Sequence, residues 1–151
     1  MEKTIEIYTD GGCSGNPGPG GWAYVLITDD GTLITNSGNS LMTTNNKMEL
    51  SAVIEALKSV SLNPAKTPLN LIVHTDSQYV KNGITTWIHN WIRNGWRTAA
   101  KKSVKNKEFW VELQQLANNL KIEWKWVKGH AGIEHNELCD ALVQKEIAST
   151  R

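Results

Sequence analysis

Apolar and polar positions alternate along the first third of the chain and then shift to helical spacing. Ile5 and Ile7 alternate with Thr4 and Glu6, which predicts a strand over Thr4 to Thr9 that ends at Asp10. Trp22 to Thr28 reads as a second strand, Asp29-Asp30-Gly31 as a hairpin turn, and Thr32 to Gly38 as a third strand. Between the first two lies GGCSGNPGPGG (Gly11 to Gly21), too rich in turn residues to be regular structure. From Asn46, Leu50, Val53, Ile54 and Leu57 recur at helical spacing, with Asn46 and Glu49 placed like a capping box. Asn63 to Pro68 ends that unit, and the apolar run Leu69 to Thr75 predicts a buried strand that stops at a second aspartate, Asp76.

Helical spacing returns through Ile84, Trp87, Ile88, Trp91 and Ile92 until Asn94-Gly95 breaks it. A basic loop leads to Asn106, a candidate N-cap for a helix burying Trp110, Leu113, Leu116, Ala117 and Leu120. Lys121 to Val127 alternates Ile122, Trp124 and Trp126 with Lys121, Glu123 and Lys125, a fifth strand. After Lys128-Gly129-His130-Ala131-Gly132, a last helix carries Leu138, Ala141 and Leu142. A three-strand meander followed by alternating helices and strands predicts an α/β fold, a mixed sheet with helices on its faces. No repeat, low-complexity segment or linker divides the 151 residues, so one domain is expected.

Composition changes this picture in two places. No apolar run reaches the roughly 20 residues of a membrane span and the N-terminus lacks a signal-peptide pattern, so a cytoplasmic protein is expected. Cys13 and Cys139 form no C-x-x-C pair, and two reduced thiols fit that compartment better than a disulfide or a zinc site. The net charge of +1 hides an asymmetry. Between Ser77 and Lys107 there is no acidic residue, while Lys81, Arg93, Arg97, Lys101, Lys102, Lys105 and Lys107 give about +7, leaving about −6 elsewhere. A basic lobe on an acidic remainder suggests a polyanion on one side and cations on the other.

Asp10 and Asp76 are each expected just beyond the C-terminal end of a strand, where sheets with crossover helices place ligands. Each also has an ordinary reading as a turn or helix-start residue, and Glu49 has one in the capping box. Asp140 is the odd one, an aspartate inside a helix. Four carboxylates drawn together would repel unless cations neutralised them, and hard, oxygen-liganded Mg²⁺ is the usual solution. Two such ions can activate a water and stabilise the leaving oxygen of a phosphodiester.

The segments TDGGCSGNPGPGGW, TTNNKMEL, HTDSQYV, GITTWIHNWIRNGW, SVKN and WVKGHAGIEHNELCD resemble type 1 ribonuclease H, above all its bacterial form, across nearly the whole chain. The resemblance implies a ribonuclease H-like fold, a five-stranded mixed sheet flanked by helices. It implies endonucleolytic hydrolysis of the RNA strand of an RNA–DNA hybrid by two metal ions, leaving 5′-phosphate and 3′-hydroxyl ends. It makes Asp10, Glu49, Asp76 and Asp140 the metal-binding catalytic carboxylates, with Mg²⁺ or Mn²⁺ bound. His130, between glycines in KGHAG, matches the family's mobile-loop histidine, and an imidazole with a pKa near 6.5 is suited to relaying a proton.

Reading ribose requires groups that hydrogen-bond a 2′-hydroxyl. The amides of Asn16, Asn45, Asn46 and Gln78 suit this, although the three asparagines equally fit turns or caps; the resemblance adds Cys13 to the residues lining the hybrid. Trp87 and Trp91 follow a core spacing in part, but Lys101, Lys102 and their basic neighbours have no apolar explanation and fit phosphate contacts. By resemblance residues 84–107 form the family's basic protrusion, which grips the DNA strand. One departure concerns the phosphate pocket: Thr44 and Asn106 match the family, but Met42 stands where an arginine is common. Grip there is expected to be weaker or to lean on Lys47 and the basic loop. A monomer is expected. A resolvase- or transposase-like nuclease would not need the TNN and DSQ amides, and a non-cutting hybrid binder would lack a carboxylate.

Overall fold

The computed structural model describes residues 3–61, 69–98, 101–126 and 134–150. Five strands form one sheet in the order β3-β2-β1-β4-β5, comprising β1 (Lys3–Cys13), β2 (Gly18–Ile27), β3 (Leu33–Thr43), β4 (Leu69–Thr75) and β5 (Lys121–Trp126). β1, β2 and β3 pair antiparallel, whereas β4 joins β1, and β5 joins β4, in parallel. The expected mixed sheet is therefore present, and its direction of growth switches at β1.

The glycine-rich segment departs from expectation. β1 continues through Gly11, Gly12 and Cys13, which pair with Trp22, Gly21 and Gly20, so most of that segment is ladder. Cross-strand hydrogen bonds override local turn preference, and Asp10 lies inside the strand instead of beyond it. β3 likewise runs on to Thr43.

Period-2 alternation assigns the two faces. Ile5, Ile7, Tyr24 and Leu26 pack under α1 (Asn45–Ser61), which contributes Leu50, Val53, Ile54, Leu57 and Val60. Leu50, Val53 and Leu57 are fully enclosed, and burying each such side chain is worth roughly 1.5–3 kcal/mol. Thr44, not Asn46, starts this helix: its hydroxyl accepts from the Lys47 N–H at 3.2 Å. The capping box with Glu49 is thus absent, which removes the structural explanation for that glutamate.

On the opposite face α5 (Glu134–Ser149) lays Cys139, Val143 and Ile147 against Tyr8, Val25 and Ala23. Its buried stripe runs through these residues, while Ala141 is exposed and Leu138 and Leu142 are half-buried. Glu146 fastens α5 to β3 by accepting from Ser37 Oγ and from Asn39 Nδ2, the latter at 2.8 Å.

After β4, residues 78–93 are helical throughout: α2 (Gln78–Asn82), a π-helical turn (Gly83–Trp87) and α3 (Ile88–Arg93). α4 (Lys107–Asn118) packs against α1 and buries Trp110 and Leu113. Asn106 precedes α4 in a left-handed conformation (φ 61°) and does not cap it; its side chain donates to the Tyr79 hydroxyl at 3.1 Å instead. Trp110 donates to the same hydroxyl, also at 3.1 Å, so Tyr79 ties α2 to α4.

Trp110 also reaches Gly83, where an added Cβ would sit 2.0 Å from the indole ring. Replacing a helical glycine by alanine ordinarily gains about 1 kcal/mol. Here overpacking against a fully buried ring outweighs that gain. Gly83→Ala is expected to destabilise the protein by about 1–3 kcal/mol in urea unfolding; a stabilised variant would refute the packing argument.

Candidate active site

The site forms where β1 and β4 part. Their parallel pairing ends at Tyr8↔His74, and two residues later come Asp10, still within β1, and Asp76, just past the end of β4. Asp10 is buried, and Asp76 opens the turn into α2. Ser77 caps that helix by accepting from Val80 N–H at 3.2 Å, and its own N–H donates to Thr75 Oγ1 at 3.1 Å.

Glu49 arrives from α1 because the first turn of that helix lies directly on β1. A Cβ at Gly11 would fall 2.4 Å from the backbone carbon of Met48 and 2.5 Å from the Glu49 nitrogen. Only glycine permits this approach. Asp10, Glu49 and Asp76 are thereby brought together, each offering an oxygen within 4.8 Å of the others. Burial holds the Glu49 carboxyl well above the usual range, and the charges of Asp10 and Asp76 raise it further, against a lowering hydrogen bond from the Gly11 backbone.

The donor set fits a hard divalent cation. All three groups are carboxylates, and Glu49 Oε2 is buried with no hydrogen-bond partner among the described residues. An orphaned buried oxygen beside two like charges is costly without a counter-ion.

Asp140 does not belong to this group of three. It stands half-buried on α5 next to Cys139, whose thiol donates to the Tyr8 carbonyl at 3.4 Å. Tyr8 and Asp10 share a face of β1, so this part of α5 covers the acidic face of the site. Burial pushes the Cys139 thiol strongly upward, and Asp10, Asp76 and Glu49 add to that shift. The expectation for His130 lies outside the described residues.

Around the carboxylates, Asn45 and Asn16 interlock. Asn45 Oδ1 accepts from Cys13 N–H at 2.8 Å, and Asn16 Oδ1 accepts from Asn45 N–H at 3.2 Å. The backbone donors fix both amide orientations, so each NH₂ group turns away from these contacts. The Cys13 thiol donates to the Gly15 carbonyl at 2.7 Å. Asn46 is half-buried and Gln78 exposed. Met42 is 70% exposed at the end of β3, while Thr44 serves as the helix cap and Asn106 is engaged with Tyr79.

The basic lobe rests on stacked aromatics. Trp91 packs on Trp87, Trp96 and Trp110 with ring centroids 5.9, 6.2 and 5.4 Å apart, so the tryptophans are partly core, as their spacing implied. Lys101 and Lys102 are exposed, in a turn where Arg97 pairs with Ser103. Two contributors gave little sequence signal. Gly11 reads as one turn residue among many, and Trp126, which donates its indole N–H to the Asp76 carbonyl at 3.3 Å, reads as a strand residue.

Clustered carboxylates at the switch point of a mixed sheet define a class of metal-dependent phosphoryl-transfer protein. The RNase H family model matches residues 2–148, and the chain belongs to that family. Ribonuclease H of Anaplasma marginale (strain St. Maries) is 55% identical, over 97% of this chain and 92% of that protein. Ribonuclease H of Treponema pallidum subsp. pallidum is 51% identical, over 91% of this chain and 87% of that protein. Among solved structures, LC9-RNase H1, a type 1 RNase H with the type 2 active-site motif, superposes with a TM-score of 0.85 at 30% identity, covering 100% of this chain and 75% of that one. LC11-RNase H1 in complex with RNA/DNA hybrid matches with a TM-score of 0.73 at 25% identity, covering 96% and 97%. The chain is accordingly a nuclease.

The electrostatics carry a signed consequence. The unfolded chain releases the Glu49 proton near 4.5, and the native protein holds it higher. Native protein therefore binds more protons in that window, and cation-free stability should fall as pH rises through it. Asp10→Asn relieves part of this repulsion and should gain about 0.5–2 kcal/mol in cation-free urea unfolding at neutral pH. Added Mg²⁺ should narrow the difference; equal stabilities without cation would refute the crowding of charge.

Proposed function

We propose that this protein is an endoribonuclease that hydrolyses the RNA strand of RNA–DNA hybrids, leaving 5′-phosphate and 3′-hydroxyl ends. The observation that carries this reading is the Asp10–Glu49–Asp76 cluster beside two asparagines whose amide oxygens are already committed to backbone. Among the described residues neither of their NH₂ groups donates to the protein, which leaves both to a substrate oxygen. A ribose 2′-hydroxyl can accept such a bond, and deoxyribose cannot.

In this reading Asp10, Glu49, Asp76 and Asp140 hold Mg²⁺, two ions when substrate is present. Bound there, the ions supply an activated water and charge stabilisation for the leaving 3′ oxygen. Asn16, Asn45, Asn46, Gln78 and Cys13 line the RNA strand and set which phosphodiester lies over the carboxylates. His130 moves a proton at the reacting phosphate. Residues 84–107 of the single domain form the basic protrusion: Lys101 and Lys102 take DNA phosphates on a platform that includes Trp87 and Trp91. Thr44 and Asn106 complete a phosphate pocket in which Met42 offers no charge, so Lys47 contributes more. The protein works as a cytoplasmic monomer.

The test compares an RNA–DNA hybrid, duplex DNA and duplex RNA with Mg²⁺, for the wild type and Asp10→Asn. Cleavage confined to the hybrid and lost in the variant is expected; cutting of duplex DNA, or of nothing, sinks the reading. Asn45→Ala should lower kcat/KM on hybrid by about tenfold, the loss of one substrate hydrogen bond with its orienting role. Neutralising Lys101 and Lys102 should flatten the salt dependence of hybrid binding by about 0.9 per lost phosphate contact, and an unchanged slope rejects the lobe as a docking surface.

A further inference from the structure

Asp76 differs from its two companions in how it is held. Asp10 sits within a ladder and Glu49 within a helix, so regular hydrogen bonding fixes their backbones. Asp76 occupies the turn between β4 and α2. On its C-terminal side the turn is tied through Ser77, which caps α2 and whose carbonyl accepts from Lys81 N–H at 3.1 Å. The carbonyl of Asp76 itself is reached from across the sheet. β4 and β5 end in register at Thr75↔Trp126, and the Trp126 indole N–H extends one residue further to the Asp76 carbonyl at 3.3 Å. Trp126 is 39% exposed, so packing alone does not immobilise it. Lys81, one helical turn beyond Ser77, places its ammonium 4.8 Å from the centre of the Trp126 ring. A cation over an indole face is attractive and restrains the ring.

From this geometry we infer that Trp126, restrained by Lys81 over its ring, is a positioning residue for Asp76, clamping the peptide of the turn to the end of β5. The inference rests on the proposed role of Asp76 as a cation ligand. With Trp126 in place, the Asp76 carboxylate is presented to the cation in one orientation. Without it the turn loses one of its tethers and cation binding must supply more of the ordering, which lowers affinity.

Trp126→Phe removes the donor and keeps an aromatic ring under Lys81. Calorimetric titration of the nucleic-acid-free protein with MgCl₂ is expected to show Mg²⁺ affinity reduced about three- to tenfold, the size of one neutral hydrogen bond. The Mg²⁺ concentration for half-maximal hybrid cleavage should rise in parallel, with KM for hybrid unchanged at saturating Mg²⁺. A merely structural role would lower the unfolding midpoint and leave Mg²⁺ affinity alone, and that result overturns the inference. Lys81→Met, which retains the donor but frees the ring, should weaken Mg²⁺ by about two- to threefold. Should Trp126→Phe fail to fold, wild-type affinity in Lys81→Met overturns the clamp. Asp76→Asn separates the two levels of reading. If it binds Mg²⁺ and cuts hybrid like the wild type, Asp76 is no ligand; if it is inactive while Trp126→Phe binds Mg²⁺ normally, only the clamp falls.

Discussion

Three carboxylates whose oxygens lie within 4.8 Å of one another are held together against their own repulsion. At an effective dielectric of about 20, one such pair at 4 Å costs roughly 4 kcal/mol when both groups are charged. The Gly11 backbone hydrogen bond to Glu49 offsets part of that cost, and the fold carries much of the rest. α1 buries Leu50, Val53 and Leu57 completely, each worth roughly 1.5–3 kcal/mol, and this burial presses its first turn onto β1. The absence of a side chain at Gly11 lets the approach proceed until Glu49 stands beside Asp10. Part of the core's stabilisation is thus set against a negatively charged pocket, and a divalent cation relieves the opposition. Proteins commonly carry their least stable arrangement where they act.

The groups around that pocket commit some of their polar atoms to the fold and leave others for the proposed substrate. Thr44 caps α1 with its hydroxyl, and Asn45 and Asn16 use their oxygens to hold backbone N–H groups. What remains of each amide is a donor whose direction is set before any ligand arrives. Such preorganisation matters because ordering a side chain on binding costs about 0.5–1.5 kcal/mol. If these donors meet the ribose as proposed, a substrate lacking the 2′-hydroxyl would leave them without partners, and discrimination would follow from what the wrong substrate fails to satisfy.

The mixed character of the sheet, the alternating faces of β1 and the place of Asp76 just past β4 were legible in the sequence because two-residue alternation survives into the fold, whereas Asp10, expected beyond its strand, lies within it. The glycine-rich segment misled because turn preference is local, whereas the pairing of Gly11, Gly12 and Cys13 with Trp22, Gly21 and Gly20 depends on residues elsewhere. Glu49 was legible as chemistry but not as structure: the capping box suggested by Asn46 dissolves once Thr44 takes the cap. In α5 the leucines drew attention, while the buried stripe runs through Cys139, Val143 and Ile147. Asn106 matched a cap by type yet serves Tyr79. Trp126 was invisible as a site residue because an indole N–H in a strand says nothing about the carbonyl it will meet.

The acidic pocket and the basic lobe are joined by one piece of backbone. Asp76 leads through Ser77 into α2, the π-helical turn and α3, without a break, and α3 ends at Arg93, where the basic loop starts. Tyr79 and Gly83 lock that run to Trp110, and Trp91 extends the same aromatic packing toward Trp96. Phosphate contacts fix register and orientation without reading sequence. A duplex docked on the lobe, as proposed, would be set relative to Asp76 by this continuous helical run. Screening limits direct electrostatic communication to about 8–10 Å at physiological salt, so in the proposed reading this helical run, more than the field between lobe and pocket, would relate docking to the reacting phosphodiester. On the proposed reading one chain is indifferent to base sequence and exacting about the sugar: the lobe would take phosphates alone, and the asparagines would contact the ribose that docking brings to them.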